Sequence, residues 1–442
     1  MKRIALALLA LILVAALAAA GWYYRPWSPY SPASIAALDV PEDYPQTFQR
    51  MDEILPWAAI ETYEVDPFPR ADGSLPQTYE YEGETRALDD FITRSQMLGM
   101  TVLVDGEIVA QEFRHGADAG TRFTSWSVAK SFVATLIGKA LQDGLIESLD
   151  DTAETYAPQF AGTDYGATSL RHLLMMSAGM DFNEEYSPEA PSDVRPLFFN
   201  AFILRRDVDQ MVGEIERNRE PGQDQHYTSP NSHVLAAVAR AVYGGSLAEV
   251  MSEQLWTPLG MTRRATWLQN TPGENGIAIG YCCLQANSED YARLGQLYLQ
   301  DGVWDGERLL PEGWVDQATI PNAPFQEPGA TPYPGRGYAL HFWAPHGYDR
   351  EFYAAGVFGQ YVWVDRNRNV VIAWNSGDAG WASKSAEQTA VFRAIAEHVS
   401  PRSETLDRFM QGVEAAIMER QGAGLVPDDA EEDAGSDTEP GR

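Results

Sequence analysis

Ser127 and Lys130 stand three residues apart in the stretch TSWSVAKSFVATLIGKAL, residues 124–141. On a helix that spacing puts both side chains on one face. Phe132, Val133, Leu136, Ile137 and Leu141 recur at helical spacing, and nearly every side of the segment is apolar. A buried helix is therefore predicted, with Thr124 and Ser125 as its caps. Burial disfavours the charged form of an amine. A neutral amine beside a hydroxyl can take its proton, and a helix N-terminus favours the negative charge that develops. The pair can thus be a nucleophile with its activating base. Ser-x-x-Lys spacing alone is a weak signal, because lysines commonly snorkel to the surface. Here the only lysines are Lys2, Lys130, Lys139 and Lys384, so one inside an apolar helix stands out.

Two further stretches can join this chemistry. In EPGQDQHYTSPNSHVLAAVARAVYG, Tyr227 follows a Pro-Gly turn and precedes a helical pattern. A phenol at such a junction can shuttle protons, although packing is the commoner role of a tyrosine. His226 beside it reads as a loop histidine. In AAGVFGQYVWV, Ala354, Ala355, Gly356 and Gly359 leave a strand without bulk. A substrate carbonyl could approach the backbone N–H groups there, as in an oxyanion hole. A helix packed closely on the strand explains the small residues equally well. Glu184, Glu185 and Tyr186 lie in a loop that could reach a ligand.

The elements that must position these residues follow a simple order. MTVLVDGEIVAQEF reads as a hairpin about Asp105-Gly106. Helical patterns dominate from about 142 to 307. Strands return in GYALHFW and EFYAAGVFGQYVWV, the turn DRNRN leads into VVIAWNSG, and a helix covers 385–399. Strands early, helices in the middle and strands late predict an α+β fold. Its antiparallel sheet is built from both chain ends and flanked by helices, with a large mostly helical insert.

The chain has 442 residues, 45% of them hydrophobic, and a formal net charge of -31. That charge argues against nucleic-acid partners. Lys2 and Arg3 precede an apolar run over 4–20, followed by Trp22, Tyr23 and Tyr24. Residues 1–24 therefore read as a signal anchor facing the periplasm from the inner membrane, or as a cleaved signal peptide releasing a periplasmic or secreted protein. Either way the bulk of the chain is exported. Residues 25–75 form a Pro- and aromatic-rich extension, 76–400 the main domain, 401–425 a C-terminal helix, and 426–442 a disordered acidic tail. Cys282 and Cys283 are neighbours and read as two small buried side chains rather than a disulfide. No metal spacing and no cofactor motif is present, and the chain contains neither G-x-S-x-G nor H-E-x-x-H.

Taken together, SWSVAKSF, HYTSPNSHVLA and AAGVFG resemble the motifs of the serine β-lactamase and penicillin-binding-protein superfamily. The similarity is strongest to class C-type esterases, D-aminopeptidases and aminohexanoate-dimer hydrolases. LRHLLMMSAGMDF, LWTPLGM, NSEDYARLGQLYL and WDGERLLPEGWV resemble its landmarks in order. The resemblance implies Ser127 as nucleophile, Lys130 as base and Tyr227 in proton transfer. It also implies an oxyanion hole from the N–H groups of Ser127 and Val357, with Ser229, Ala355 and Gly356 against the substrate. An exported serine hydrolase acting through an acyl-enzyme on small esters or amides is the expected activity. A D,D-peptidase of the cell wall, or a membrane-tethered binding protein with weak turnover, are the alternatives. The chain departs from the superfamily at the third motif, where Ala354-Ala355-Gly356 lacks the usual Lys or His.

Overall fold

MLGMTVLV and VVIAWNS are apolar at nearly every position, as strands covered on both faces must be. In the computed structural model they form the adjacent antiparallel strands β1 (Met97–Val104) and β7 (Val370–Ser376), so the two ends of the domain meet inside one sheet. The structure describes residues 2–401 except 37, 39, 188, 189 and 334. The C-terminal helix and acidic tail expected beyond Ser400 lie outside the described residues.

The remaining strands are β2 (Glu107–Phe113), β3 (Arg336–Tyr338), β4 (Trp343–Pro345), β5 (Glu351–Gly356) and β6 (Gln360–Asp365). The seven-stranded order is β3-β4-β5-β6-β7-β1-β2. Asp105 and Gly106 both have positive φ, 51° and 82°, which a two-residue hairpin turn between β1 and β2 demands.

Helices cover both faces. Helix α1 (Val128–Gln142) packs on α2 (Ser229–Tyr243), and α3 (Ser288–Leu299) lies on the sheet. Gly295 of α3 sits so close that a Cβ there would meet Val371 at 2.5 Å. On the other face α4 (Ser385–Val399) inserts Phe392 between Trp363 and Trp374. The expected mixed helix and antiparallel sheet fold is the observed one.

Three local expectations are corrected. Thr124 and Ser125 do not cap α1. Phe123–Thr124 instead pairs with Leu284–Ala286, and the Ser125 hydroxyl accepts from Leu284 N–H, so the helix begins at Val128 with Ser127 at its N-cap. GYALHFW is not one strand, because His341 adopts a left-handed φ of 62° and breaks it between Tyr338 and Trp343. Within the extension, Trp57–Ile60 pairs with Ala265–Leu268, a strand too short to show an alternating pattern. At the N-terminus a helix spans Lys2–Tyr24, and its Arg3–Tyr24 portion is long and apolar enough to cross a membrane.

Candidate active site

Trp126 has a left-handed φ of 41°, a conformation a bulky residue holds only when its surroundings impose it. Its ring lies among those of Phe48, Phe198 and Phe358, at 5.4, 6.2 and 5.3 Å. This turn presents Ser127, half-buried, at the start of α1. Strand β5 backs directly onto it. A Cβ at Gly356 would meet Ser125 O at 2.6 Å and Ser127 N at 2.9 Å, so glycine is required at that crossing. The close approach expected at this strand is therefore real, and what approaches is the turn that carries Ser127. Val357 follows immediately, and among the described residues neither its N–H nor that of Ser127 has a backbone acceptor. Ala355 is half-buried beside them.

Lys130 is 2% exposed. Its Nζ lies 2.8 Å from Ser127 Oγ and donates to the Tyr281 carbonyl, also at 2.8 Å. It sits over the Tyr227 ring, 5.0 Å from the centroid. Burial pulls its pKa down to about 7, against the opposing charge of Glu184. The ammonium and the free amine are then both accessible near neutral pH.

Tyr227 is buried among Tyr333, Tyr338 and Trp343, and its hydroxyl reaches the Ser127 side chain. Burial, reinforced by the Glu184 charge, holds its pKa well above the usual phenol value. The phenol therefore keeps its proton. Arg336 stacks over Tyr333 and Trp343 and pulls in the opposite direction on Tyr227. Ser229, two residues on, is turned toward Glu184: its N–H donates to Oε2 at 2.9 Å and its hydroxyl to Oε1. Tyr186 also donates to Glu184. His226 is tied to the Phe182 carbonyl at 2.7 Å, as a loop histidine would be.

Sequence reasoning missed the segment that holds Lys130 from behind. Gly280 N–H donates to His233 Nδ1 at 3.2 Å, so His233 Nε2 carries the proton and donates to Asp209 at 2.8 Å. Arg240 completes the cluster on Asp209. Burial alone would raise the Asp209 pKa, but His233 and Arg240 pull it below the usual carboxylate range. Cys282 and Cys283 follow Tyr281, and contrary to expectation their sulfurs are bonded to each other. Adjacent cysteines can close this ring where the backbone permits it, and Cys283 takes a positive φ of 82°. The carbonyl that holds Lys130 thus lies between a backbone N–H bonded to a buried histidine and a covalent ring. Nothing in the spacing of His233, Asp209 and Gly280 announces this.

The arrangement of a half-buried serine, a dry lysine and a protonated phenol can activate a hydroxyl for attack on a carbonyl. Among the described residues no group of acidic, histidine or cysteine side chains could hold a metal ion. The chain is 28% identical over 338 residues to a 6-aminohexanoate-dimer hydrolase of Paenarthrobacter ureafaciens, covering 74% of this chain and 83% of that one. A solved structure from Bacillus anthracis, provisionally named a 6-aminohexanoate-dimer hydrolase, superposes with a TM-score of 0.72 at 23% identity, over 81% of this chain and 95% of that one. EstCE1, a hydrolase with promiscuous acyltransferase activity, shares the fold at a TM-score of 0.54 and 17% identity, over 70% of this chain and 96% of that one. The Beta-lactamase family model matches residues 85–397, and the chain belongs to that family of hydrolases.

Proposed function

We propose that the protein is an exported, membrane-anchored serine hydrolase that cleaves small amides or esters through an acyl-enzyme on Ser127. The observation that carries this is the 2.8 Å contact between Ser127 Oγ and a buried Lys130 whose pKa is drawn down to about 7. In the first step neutral Lys130 takes the Ser127 proton as Oγ bonds to the substrate carbonyl carbon. The charge that forms on the carbonyl oxygen meets the N–H groups of Ser127 and Val357. As the C–N or C–O bond breaks, Tyr227, passing on the proton held by Lys130, protonates the leaving group. Water then attacks the acyl-enzyme with the same groups acting in reverse. Gly356 lets the Ser127 turn lie directly against β5, half-buried Ala355 lines the substrate's path along that strand, and Ser229 acts by fixing Glu184.

The relatives' named substrates and the two charges near Tyr227 suggest the kind of molecule. Glu184 suits a substrate amine, and Arg336 stands where a carboxylate could be met. Export rests on the apolar Arg3–Tyr24 helix behind Lys2 and Arg3. Incubation with a fluorescent fluorophosphonate, followed by peptide mass spectrometry, tests the reading. The label is expected on Ser127, with Ser127→Ala unlabelled, folded and reduced at least about 10⁴-fold in turnover of a short acyl ester. A label on another residue, or near wild-type turnover by Ser127→Ala, overturns it.

A further inference from the structure

Apolar surface is concentrated where the N-terminal helix leaves the body of the protein. Trp27 is 74% exposed, Phe199 51% and Leu204 48%. An exposed apolar cluster of this kind marks an interaction surface. Between the helix and this cluster runs an open groove of about 850 Å³, lined on one side by Leu17, Gly21, Trp22 and Arg25 and on the other by Ile203, Leu204 and Arg205.

The two arginines of the groove are unusual in so acidic a chain. Among the described residues neither Arg25 nor Arg205 lies within ion-pair distance of a carboxylate. Arg25 donates from Nε to the Trp22 carbonyl at 3.1 Å, and its side chain lines the groove. Arg205 Nε is buried with no acceptor among the described residues. Arg25 and Arg205 line the same groove from opposite sides, and burial together with the charge of Arg25 lowers the Arg205 pKa. Two guanidinium groups lining one groove, neither paired with a carboxylate among the described residues, suit a phosphate, which accepts several N–H bonds at once. The apolar neighbours and the end of a candidate membrane span place that phosphate at a lipid interface, where Trp, Tyr and Arg gather.

We propose that this groove binds the phosphate headgroup of an anionic phospholipid and, through Trp27, Phe199 and Leu204, seats the hydrolase domain on the bilayer that the N-terminal helix crosses. The inference rests on the membrane-anchor reading above. It also links the membrane to the site. Phe198, next to Phe199, packs on Trp126 and Tyr281 at 6.2 and 5.7 Å, so one short segment touches both the lipid face and the turn that carries Ser127. The cleft would then draw its substrate from the membrane surface.

The full-length chain, reconstituted in vesicles of phosphatidylcholine with increasing phosphatidylglycerol, tests this. An environment-sensitive dye is placed at Leu204→Cys, or at Glu397→Cys on α4 as a control. The native cysteines are bonded to each other and buried, so they do not compete for the label. Spin-labelled lipid is expected to quench position 204 at least twofold more than position 397. Arg25→Gln with Arg205→Gln should raise several-fold the phosphatidylglycerol fraction needed for half-maximal quenching. Equal quenching at 204 and 397 on vesicles that carry the protein through flotation overturns the docking face and leaves the anchor intact. Quenching indifferent to phosphatidylglycerol and to both substitutions overturns the headgroup site. Failure of the protein to float with vesicles overturns the anchor and the docking together.

Discussion

The floor and the rim of the site are built differently. The floor consists of Ser127, Lys130, the Tyr281 carbonyl and the backbone at Gly356, all held by buried hydrogen bonds or van der Waals contact. Its two chief residues lie three apart on one helix. The rim consists of Glu184 and Arg336, carried on a loop and an edge strand more than a hundred residues apart in sequence. These charges are positioned by partners of their own, Ser229 and Tyr186 for one, Tyr333 and Trp343 for the other. On the proposed reading, the difference teaches that the chemistry is local and dry, whereas recognition is assembled from afar. Substitutions in the floor should abolish turnover, and those in the rim should redirect it.

The largest effect expected from breaking the floor without removing its positive charge is at Lys130. Lys130→Arg keeps a cation that cannot give up its proton at working pH. It should lose about 10³-fold in kcat/KM, close to Lys130→Ala, as removal of a general base does. An Arg variant with most of its activity would mean that position 130 supplies only charge, and the floor would then resemble the rim.

A smaller effect is expected from the cation missing on β5. Ala354 and Ala355 offer no positive charge to the carboxylate of a β-lactam. The lost charge-assisted hydrogen bond is worth roughly 1.5–3 kcal/mol, or about one to two orders of magnitude in recognition. Comparing kcat/KM for p-nitrophenyl butyrate and nitrocefin should favour the ester by at least that margin. Efficient nitrocefin turnover would show that Arg336 takes over the missing role from the neighbouring edge of the sheet.

The smallest effect should come from Glu184→Gln. Preference for substrates bearing an amine over neutral ones should fall by about tenfold. Glu184 raises the Lys130 pKa, so its neutralisation should move the acid limb of the pH–rate profile to lower pH. A variant with unchanged preference and unchanged limb would remove Glu184 from the site.

The contrast also governs what could be read from sequence. Burial of Lys130 was legible because apolar residues surround it on one continuous helix, and the sheet was legible because β1 and β7 are apolar at nearly every position. The start of α1 was not, because Thr124 and Ser125 have ordinary capping side chains and only the pairing of Phe123–Thr124 with Leu284–Ala286 diverts them. The Cys282–Cys283 bond was missed because its feasibility depends on the backbone at Cys283. The hold of His233 on Gly280 is a contact across 47 residues, with no periodicity to betray it. Arg336 was invisible for a related reason: it reaches Tyr227's surroundings from an edge strand that the left-handed His341 separates from β4.

The central claim is that neutral Lys130 activates Ser127, and the pH dependence of inactivation by a fluorophosphonate tests it most directly. The reagent carries no titrating group in the working range, so its rate follows the state of the enzyme. With the Lys130 pKa near 7, the rate should be low at pH 5, rise tenfold per pH unit below that pKa, and level off above it. A rate that is flat from pH 5 to 9, or that falls through pH 7, would contradict activation by the free amine.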